Sequence, residues 1–395
     1  MKAVEIKPDV YWVGGIDWNL RNFHGYITPR GSTYNAYLIL DEKITLIDTV
    51  KHYLYDEMKT RISSVTDPEK IDVVISNHVE MDHSGSLPKI LDLNPDATLV
   101  TSTRGQRGLK QHYEENWNFK VVDAGDSLSI GKRTLDFVPI PMVHWPDSMV
   151  TYSNHDKILF PNDAFGQHLA TTERFDDQLE WGILQEEAAK YYANIVLPYG
   201  GQVQKALSGL SNLDFDTIAP SHGIIWRHHL EDIISLYTDW SKNKTKPYAV
   251  IAYDSMWGST KKLAHAFASG LEEGGMNVRI RNIQQTPFSD IITDILEAEI
   301  IAIGSPTLNN TMLPTVGGFL TYLKGLRPKN RTGFVFGSYG WGGQAVKHIE
   351  NMLDGLSWNF PEESMNINFV PREKDLEKIK NNGINIAKKL KINRN

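Results

Sequence analysis

Ser76-Asn77-His78-Val79-Glu80-Met81-Asp82-His83-Ser84-Gly85 follows directly on residues 71–75, apolar but for Asp72. The stretch reads H-x-E-x-D-H, with four potential metal ligands inside six positions. The apolar run predicts a buried strand, so the four ligands stand just past its C-terminal end, on a loop. A loop can turn all four side chains toward one point, which a regular strand or helix this short cannot. One histidine here would read as part of a solvated turn. Two imidazoles with two carboxylates read as a mixed nitrogen and oxygen site, and such a site suits divalent first-row metals.

The pattern of strand, then ligand, recurs downstream. Residues 134–140 read as a strand leading into Pro141-Met142-Val143-His144-Trp145-Pro146. Residues 149–152 and 157–160 read as a hairpin that ends at Pro161-Asn162-Asp163. Residues 217–219 read as a short strand followed by Pro220-Ser221-His222-Gly223. If these strands stack in two sheets with helices outside, their ends converge at one edge. Seven side chains then meet: His78, Glu80, Asp82, His83, His144, Asp163 and His222. That is more than one tetrahedral ion needs and enough for two ions sharing a carboxylate. Residues 1–49 read as short strands and turns, interrupted by the polar-aromatic loop Arg21-Asn22-Phe23-His24-Gly25-Tyr26. Helical spacing covers residues 51–62, 104–113, 176–195 and 199–213.

The grammar changes after the polar residues 241–247, which read as a linker. Strands and helices alternate from there, which predicts a parallel sheet. Five strands are expected near residues 248–253, 277–283, 299–304, 333–337 and 365–370. The first leads into Ser255-Met256-Trp257-Gly258-Ser259-Thr260 and a helix, a turn suited to a phosphate at a helix N-terminus. The third and fourth lead into Ser305-Pro306-Thr307-Leu308-Asn309-Asn310 and Ser338-Tyr339-Gly340-Trp341-Gly342. Ligands of open α/β sheets bind outside the strand C-termini. A phosphate cradle beside aromatics describes a mononucleotide with a flat ring.

The composition narrows the function classes. A chain of 395 residues is long for a single core, so two domains are expected, 1–246 and 247–395. A net charge of -7 with no basic block argues against nucleic acid. The sequence contains 0 cysteines, which excludes disulfides, a cysteine nucleophile, cysteine-ligated iron–sulfur centres and an attached rubredoxin. No run reaches the length of a membrane span and no signal core opens the chain, so a cytoplasmic protein is expected.

The ligand pattern with its later His, Asp and His resembles the metallo-β-lactamase superfamily and its αββα sandwich. The superfamily's zinc hydrolases usually carry His where this chain has Glu80, a hard anionic donor that favours iron. The set H-x-E-x-D-H, His144-Trp145-Pro146-Asp147-Ser148 and Asn162-Asp163-Ala164-Phe165-Gly166 resembles the flavodiiron proteins, and the second half resembles flavodoxin. That resemblance implies an N-terminal metallo-β-lactamase-like sandwich, then a flavodoxin-like doubly wound sheet, with two irons and FMN. It implies reduction of dioxygen to water, of nitric oxide to nitrous oxide, or both. It matches His78, Glu80 and His144 to one iron, Asp82, His83 and His222 to the other, and Asp163 to the bridge. It also matches His24, and Tyr192 with Tyr191 as the alternative, to groups over the substrate. His168 is close enough in sequence to Asp163 to stand behind that ligand. A head-to-tail homodimer, or a dimer of dimers, is implied too. The donor is external: a reduced deazaflavin coenzyme, a rubredoxin or a flavoprotein reductase. The rival readings are a zinc-dependent hydrolase with an appended flavodoxin, and a metal-poor electron-transfer module.

Overall fold

The computed structural model describes residues 1–394 in two compact units. One comprises residues 1–191 and 199–238, the other 192–198 and 239–394.

The first unit holds two stacked sheets. The larger runs in the order Val4–Lys7, Val10–Trp12, Tyr37–Ile39, Thr45–Ile47, Val73–Ile75, Thr98–Ser102 and Asn118–Val122. Its first four strands pair antiparallel, with residues 13–36 intervening between the second and third, and its last four run parallel. Parallel neighbours need a crossover. The helices Tyr55–Ile62, Leu87–Leu91 and Thr103–Tyr113 supply those crossovers. The second sheet runs Ser127–Ser129, Thr134–Pro139, Met149–Ser153, Ile158–Phe160 and Thr217–Ile218, antiparallel except for its last pair.

Tyr37, Ile39, Ile47, Val73 and Ile75 of the first sheet pack with Phe137, Met149, Ile158 and Phe160 of the second. Leu38, Leu46 and Val74, on the other face of the first sheet, pack under Met58, Ile62, Ile90 and Leu109 of its helices. Each such side chain contributes about 1.5–3 kcal/mol by leaving water. The strand Val73–Ile75 is buried on both faces, which is why its sequence is continuously apolar rather than alternating. The architecture is the expected αββα sandwich.

The second unit is a parallel sheet in the order Asn277–Asn282, Lys246–Tyr253, Ala298–Leu308, Thr332–Tyr339 and Met365–Asn368. Numbered along this half, the strand order is 2-1-3-4-5, the doubly wound order of flavodoxin. The two-residue strand Thr311–Met312 folds back antiparallel on the end of Ala298–Leu308.

Several local expectations are corrected. Met81–Ser84 is a helical turn, not open loop, so Asp82 and His83 leave it from consecutive helical positions. The helix expected over residues 176–195 divides into a 3₁₀ turn Asp176–Gln178, an α-helix Trp181–Tyr191 and a π-helical turn Tyr192–Val196. Extended backbone at Leu179 forces the first break. The loop around His24 is a small hairpin, Asn22–Phe23 with Tyr26–Ile27, and its tip residues His24 and Gly25 both take positive φ. The reading also lacked the helix Leu230–Ser241 and the strands Asn118–Val122 and Ser127–Ser129. The polar stretch 241–247 is held in place, since Arg331 Nη1 donates to the Asn243 carbonyl (3.1 Å) and Asn243 Oδ1 accepts from the Lys329 amide (2.8 Å).

Helix Ser259–Glu273 meets helix Glu373–Arg394 at glycines. A Cβ on Gly270 would collide with the Lys380 carbonyl, and one on Gly383 with the Phe267 carbonyl. Gly270→Ala is expected to destabilise the second unit by about 1–3 kcal/mol, the usual cost of overpacking. Gly209→Ala, with open space around its Cβ, should show no such loss. Thermal unfolding of both variants, followed by circular dichroism, measures the difference.

Candidate metal centre

All seven strand-end donors converge. His78, Glu80, His144 and Asp163 each offer a ligand atom within 4.8 Å of the others, and Asp82, His83 and His222 do the same. The fold delivers them from both sheets. His78 and Glu80 follow strand Val73–Ile75, with Asp82 and His83 on the turn behind them. His144, Asp163 and His222 follow strands Thr134–Pro139, Ile158–Phe160 and Thr217–Ile218 of the second sheet. Gly223, at φ +80, lets the chain turn after His222, and a Cβ there would strike Gln167.

The four imidazoles all present Nε2 to the carboxylates. Asp163 Oδ2 lies 3.1 Å from His144 and 3.5 Å from His78, while its Oδ1 lies 3.0 Å from His83 and 3.4 Å from His222. One oxygen of Asp163 therefore serves each group. Glu80 Oε2 is 3.4 Å from both His78 and His144. Asp82 reaches His83 and His222 at 3.3 Å each.

The backs of two imidazoles are also held. His78 Nδ1 donates to Asp147 Oδ2 (2.9 Å), which also accepts from the Val79 amide (2.8 Å). His222 Nδ1 donates to the Thr33 carbonyl (2.8 Å). These bonds select the tautomer that leaves Nε2 free for a metal. Deeper still, buried Asp48 accepts from the amide and side chain of Asn77 and from the side chain of Asn162, the residues just before His78 and Asp163.

The donor set fits a pair of cations. Both carboxylate oxygens of Asp82 and both ring nitrogens of His83 are buried without a hydrogen bond. Leaving such groups unpaired is costly, and metal coordination removes that cost. Burial works against charge throughout the cluster, yet close pairing overrides it. It would lower His144 and His222, but the facing carboxylates raise them to about 9 and about 10. Burial would raise Glu80, but hydrogen bonds from His144 and His78 hold it low.

The second unit has a cleft of about 690 Å³ at the C-terminal ends of its strands. Its walls come from residues 255–257, Ser259, residues 306–310 and residues 338–342, joined by Phe369 and Val370. Of the expected loop residues, Gly258, Thr260 and Ser305 do not line it. They shape it instead. Gly258 takes φ +84 before the helix, Thr260 Oγ1 and Ser338 Oγ pair at 2.9 Å, and Ser305 Oγ accepts from the Leu313 amide (3.0 Å). Trp257 and Trp341, both in the walls, are 94% and 95% exposed. Two indoles standing free beside a cleft of ligand size fit a flat ring that would cover them.

Residues 33–223 match the model of the ODP family beta lactamase, and residues 251–383 that of flavodoxin. The chain is 46% identical to a nitric oxide reductase of Moorella thermoacetica, covering 98% of this chain and 99% of that one. The solved rubredoxin oxygen:oxidoreductase of Desulfovibrio gigas superposes with a TM-score of 0.97 at 40% identity, over 99% of both chains. The flavodiiron protein of Giardia intestinalis gives 0.96 at 37% identity, over 98% of this chain and 96% of that one.

The chain belongs to the flavodiiron family.

As a flavodiiron protein it uses FMN and a pair of irons, which the cleft and the paired donor groups fit. The structure corrects one candidate residue. Tyr191, not Tyr192, faces the centre: its ring lies 5.9 Å from His222 and 5.2 Å from His168. Tyr192 opens the π turn and packs on Trp240 at 5.2 Å. His24, on its hairpin, places Nε2 3.1 Å from Glu80 Oε1. His168 stands 4.9 Å from the His222 ring, with Nδ1 2.8 Å from Ser32 Oγ. Asp147, Asp48 and the Thr33 carbonyl were missed as supports. Only Asp147 had a signal, its place in the quoted His144–Ser148 motif.

Two outcomes are expected. Asp147→Ala should lower metal affinity about 10–100-fold by releasing His78 Nδ1, measured by chelator competition and metal analysis. The raised values of His144 and His222 favour the folded metal-free chain below the ordinary value of 6.5. That contribution is lost as the pH climbs through about 9 and about 10. Metal must displace the same protons, so the apparent affinity of metal-free protein should climb from pH 6.5 toward 9. Calorimetric titration across that window checks the sign.

Proposed function

We propose that this flavodiiron enzyme reduces dioxygen to water, nitric oxide to nitrous oxide, or both, with residues 1–246 carrying the iron half and 247–395 the flavin half. The observation that carries the reading is Asp163, whose two oxygens each face one half of a seven-donor cluster. In this reading His78, Glu80 and His144 hold one iron, Asp82, His83 and His222 the other, and Asp163 bridges them. The three loops at 255–260, 305–310 and 338–342 would hold FMN, most of their residues lining the cleft and Gly258, Thr260 and Ser305 shaping it. When bound, the irons would supply one-electron redox chemistry and FMN would supply electrons in ones or pairs.

The chain's own residues do the rest. Glu80 adds negative charge where a zinc hydrolase would carry histidine, and so favours iron. Tyr191 is fully buried, and burial first, then the nearby carboxylates, push its hydroxyl well above the usual tyrosine range. It therefore keeps its proton at neutral pH and can donate a hydrogen bond beside His222. His24 sits at the exposed side of Glu80, its side chain 74% exposed, where it can exchange a proton with solvent.

Electrons arrive from a carrier outside these 395 residues, which contain 0 cysteines and so hold no rubredoxin-type iron site. One relative's name pairs the family with rubredoxin, and we take a rubredoxin-like carrier as the donor to test first. A head-to-tail second copy is the assembly we favour. Trp257, Trp341 and Phe369 stand exposed around the cleft, while Met81, next to Glu80, is 57% exposed, and a partner surface would bury both groups.

The test is anaerobic reduction of iron- and FMN-loaded protein by each donor, followed by oxygen and nitric oxide electrodes on the same sample. Consumption of at least one gas is expected. Glu80→His should shift bound metal toward zinc and cut gas consumption at least about tenfold while FMN is still reduced. Two zincs per wild-type chain grown with ample iron, and no gas consumed, would favour the hydrolase reading instead.

A further inference from the structure

Behind the metal centre lies a small cavity on the far side of the second sheet. It offers about 10 Å³ to the centre of a water-sized particle, room for one small molecule. Its floor is Val143, Val150, Ala164 and Phe165, all buried. Half-buried Ala206 and Leu207, on the helix Gly200–Leu210, form its mouth. Tyr237 also borders it, but its hydroxyl accepts from the Phe165 amide (2.9 Å). No polar surface faces the space among the described residues.

The position of this void links it to the chemistry. Val143 immediately precedes His144, and Ala164 and Phe165 immediately follow Asp163. The same backbone segments thus line the cavity and present two donors of the centre. Gly166 continues the link: a Cβ there would lie 3.5 Å from His222 and from the Tyr191 ring.

We infer that this cavity is a docking site for a small uncharged diatomic gas, which waits there beside His144 and Asp163 before reaching the irons. The chemistry of the lining selects such a guest. A buried water needs about two to four polar partners, and this space offers none. Dioxygen and nitric oxide bring no hydrogen bonds to lose and gain dispersion contacts with Val143 and Ala164. Ala206 and Leu207, the least buried of the lining residues, put the mouth on the helix Gly200–Leu210. The inference rests on the gas reduction proposed above, and it adds where the gas is held.

Xenon is the probe, because an apolar void of this kind takes up the atom without chemistry. Metal-free, FMN-free full-length protein is titrated with dissolved xenon while methyl NMR signals are followed. Saturable shifts at Val143, Val150 and Ala164 are expected, and Leu207→Trp should abolish them. In the loaded enzyme the same substitution should raise KM for the gas about fivefold, leaving kcat and FMN reduction unchanged. Should Leu207→Trp fail to fold, Ala206→Leu narrows the mouth with a smaller side chain and is read in the same way. Absence of xenon shifts at these methyls overturns the inference. So does a filled mouth that excludes xenon yet leaves KM for both gases unchanged. If the wild-type holoenzyme consumes neither gas, the reductase reading falls with its gas site, whereas a missing xenon signal removes the cavity alone.

Discussion

Asp163 is the point on which the first unit turns. A carboxylate buried this deeply would be costly to ionise alone, yet four imidazoles crowd its two oxygens and hold its pKa well below the ordinary range. That pairing needs three further strand ends and one helical turn to arrive from two different sheets. The stacking of the sheets can therefore be regarded as the device that brings opposite charge to Asp163. A slip of one residue in strand Ile158–Phe160 would turn Asp163 to the other face and leave His83 and His222 with Asp82 as their shared carboxylate.

The supporting bonds follow from the same constraint. Once Nε2 of each imidazole is committed to the carboxylates, Nδ1 needs a partner on the outside. Asp147 supplies it for His78 and the Thr33 backbone for His222. Asp48 ties Asn77 to Asn162, so the chain segments that enter the two halves of the centre are fastened to each other one residue before their ligands. The second unit meets a different demand with a different device. Its cleft needs no buried charge, only three loops held apart at the edge of a parallel sheet. Asn366 Nδ2 donates to the Gly343 carbonyl (2.7 Å) and so fixes the last of these loops to the edge strand.

The sequence carried the parts of this that are local. Each metal donor follows its own apolar run, so strand and ligand are visible in one short window, and five alternating strands reveal the doubly wound half. What escaped depends on non-local geometry. Strand Asn118–Val122 lies at the sheet edge with mostly exposed side chains, so no hydrophobic period marks it. Asp147 looks like any polar turn residue until His78 is folded against it. Tyr191 closes the α-helix and Tyr192 opens the π turn that follows it. That turn rotates the second tyrosine by part of a helical step, and no propensity in Lys190-Tyr191-Tyr192-Ala193 announces it.

The same charge balance sets what the centre can admit. Glu80, Asp82 and Asp163 bring three negative charges, against two divalent cations. Three charges against four leave one positive charge over the centre, and a neutral substrate loses little by approaching it. Around the donors the packing is apolar and aromatic, with Phe23 against His168 at 4.9 Å and Trp145 against His78 at 5.1 Å. Such walls offer few hydrogen bonds to a large polar substrate. Small neutral molecules pass this filter. Selection of a gas thus begins in the packing around the ligands, before any bond to metal is made.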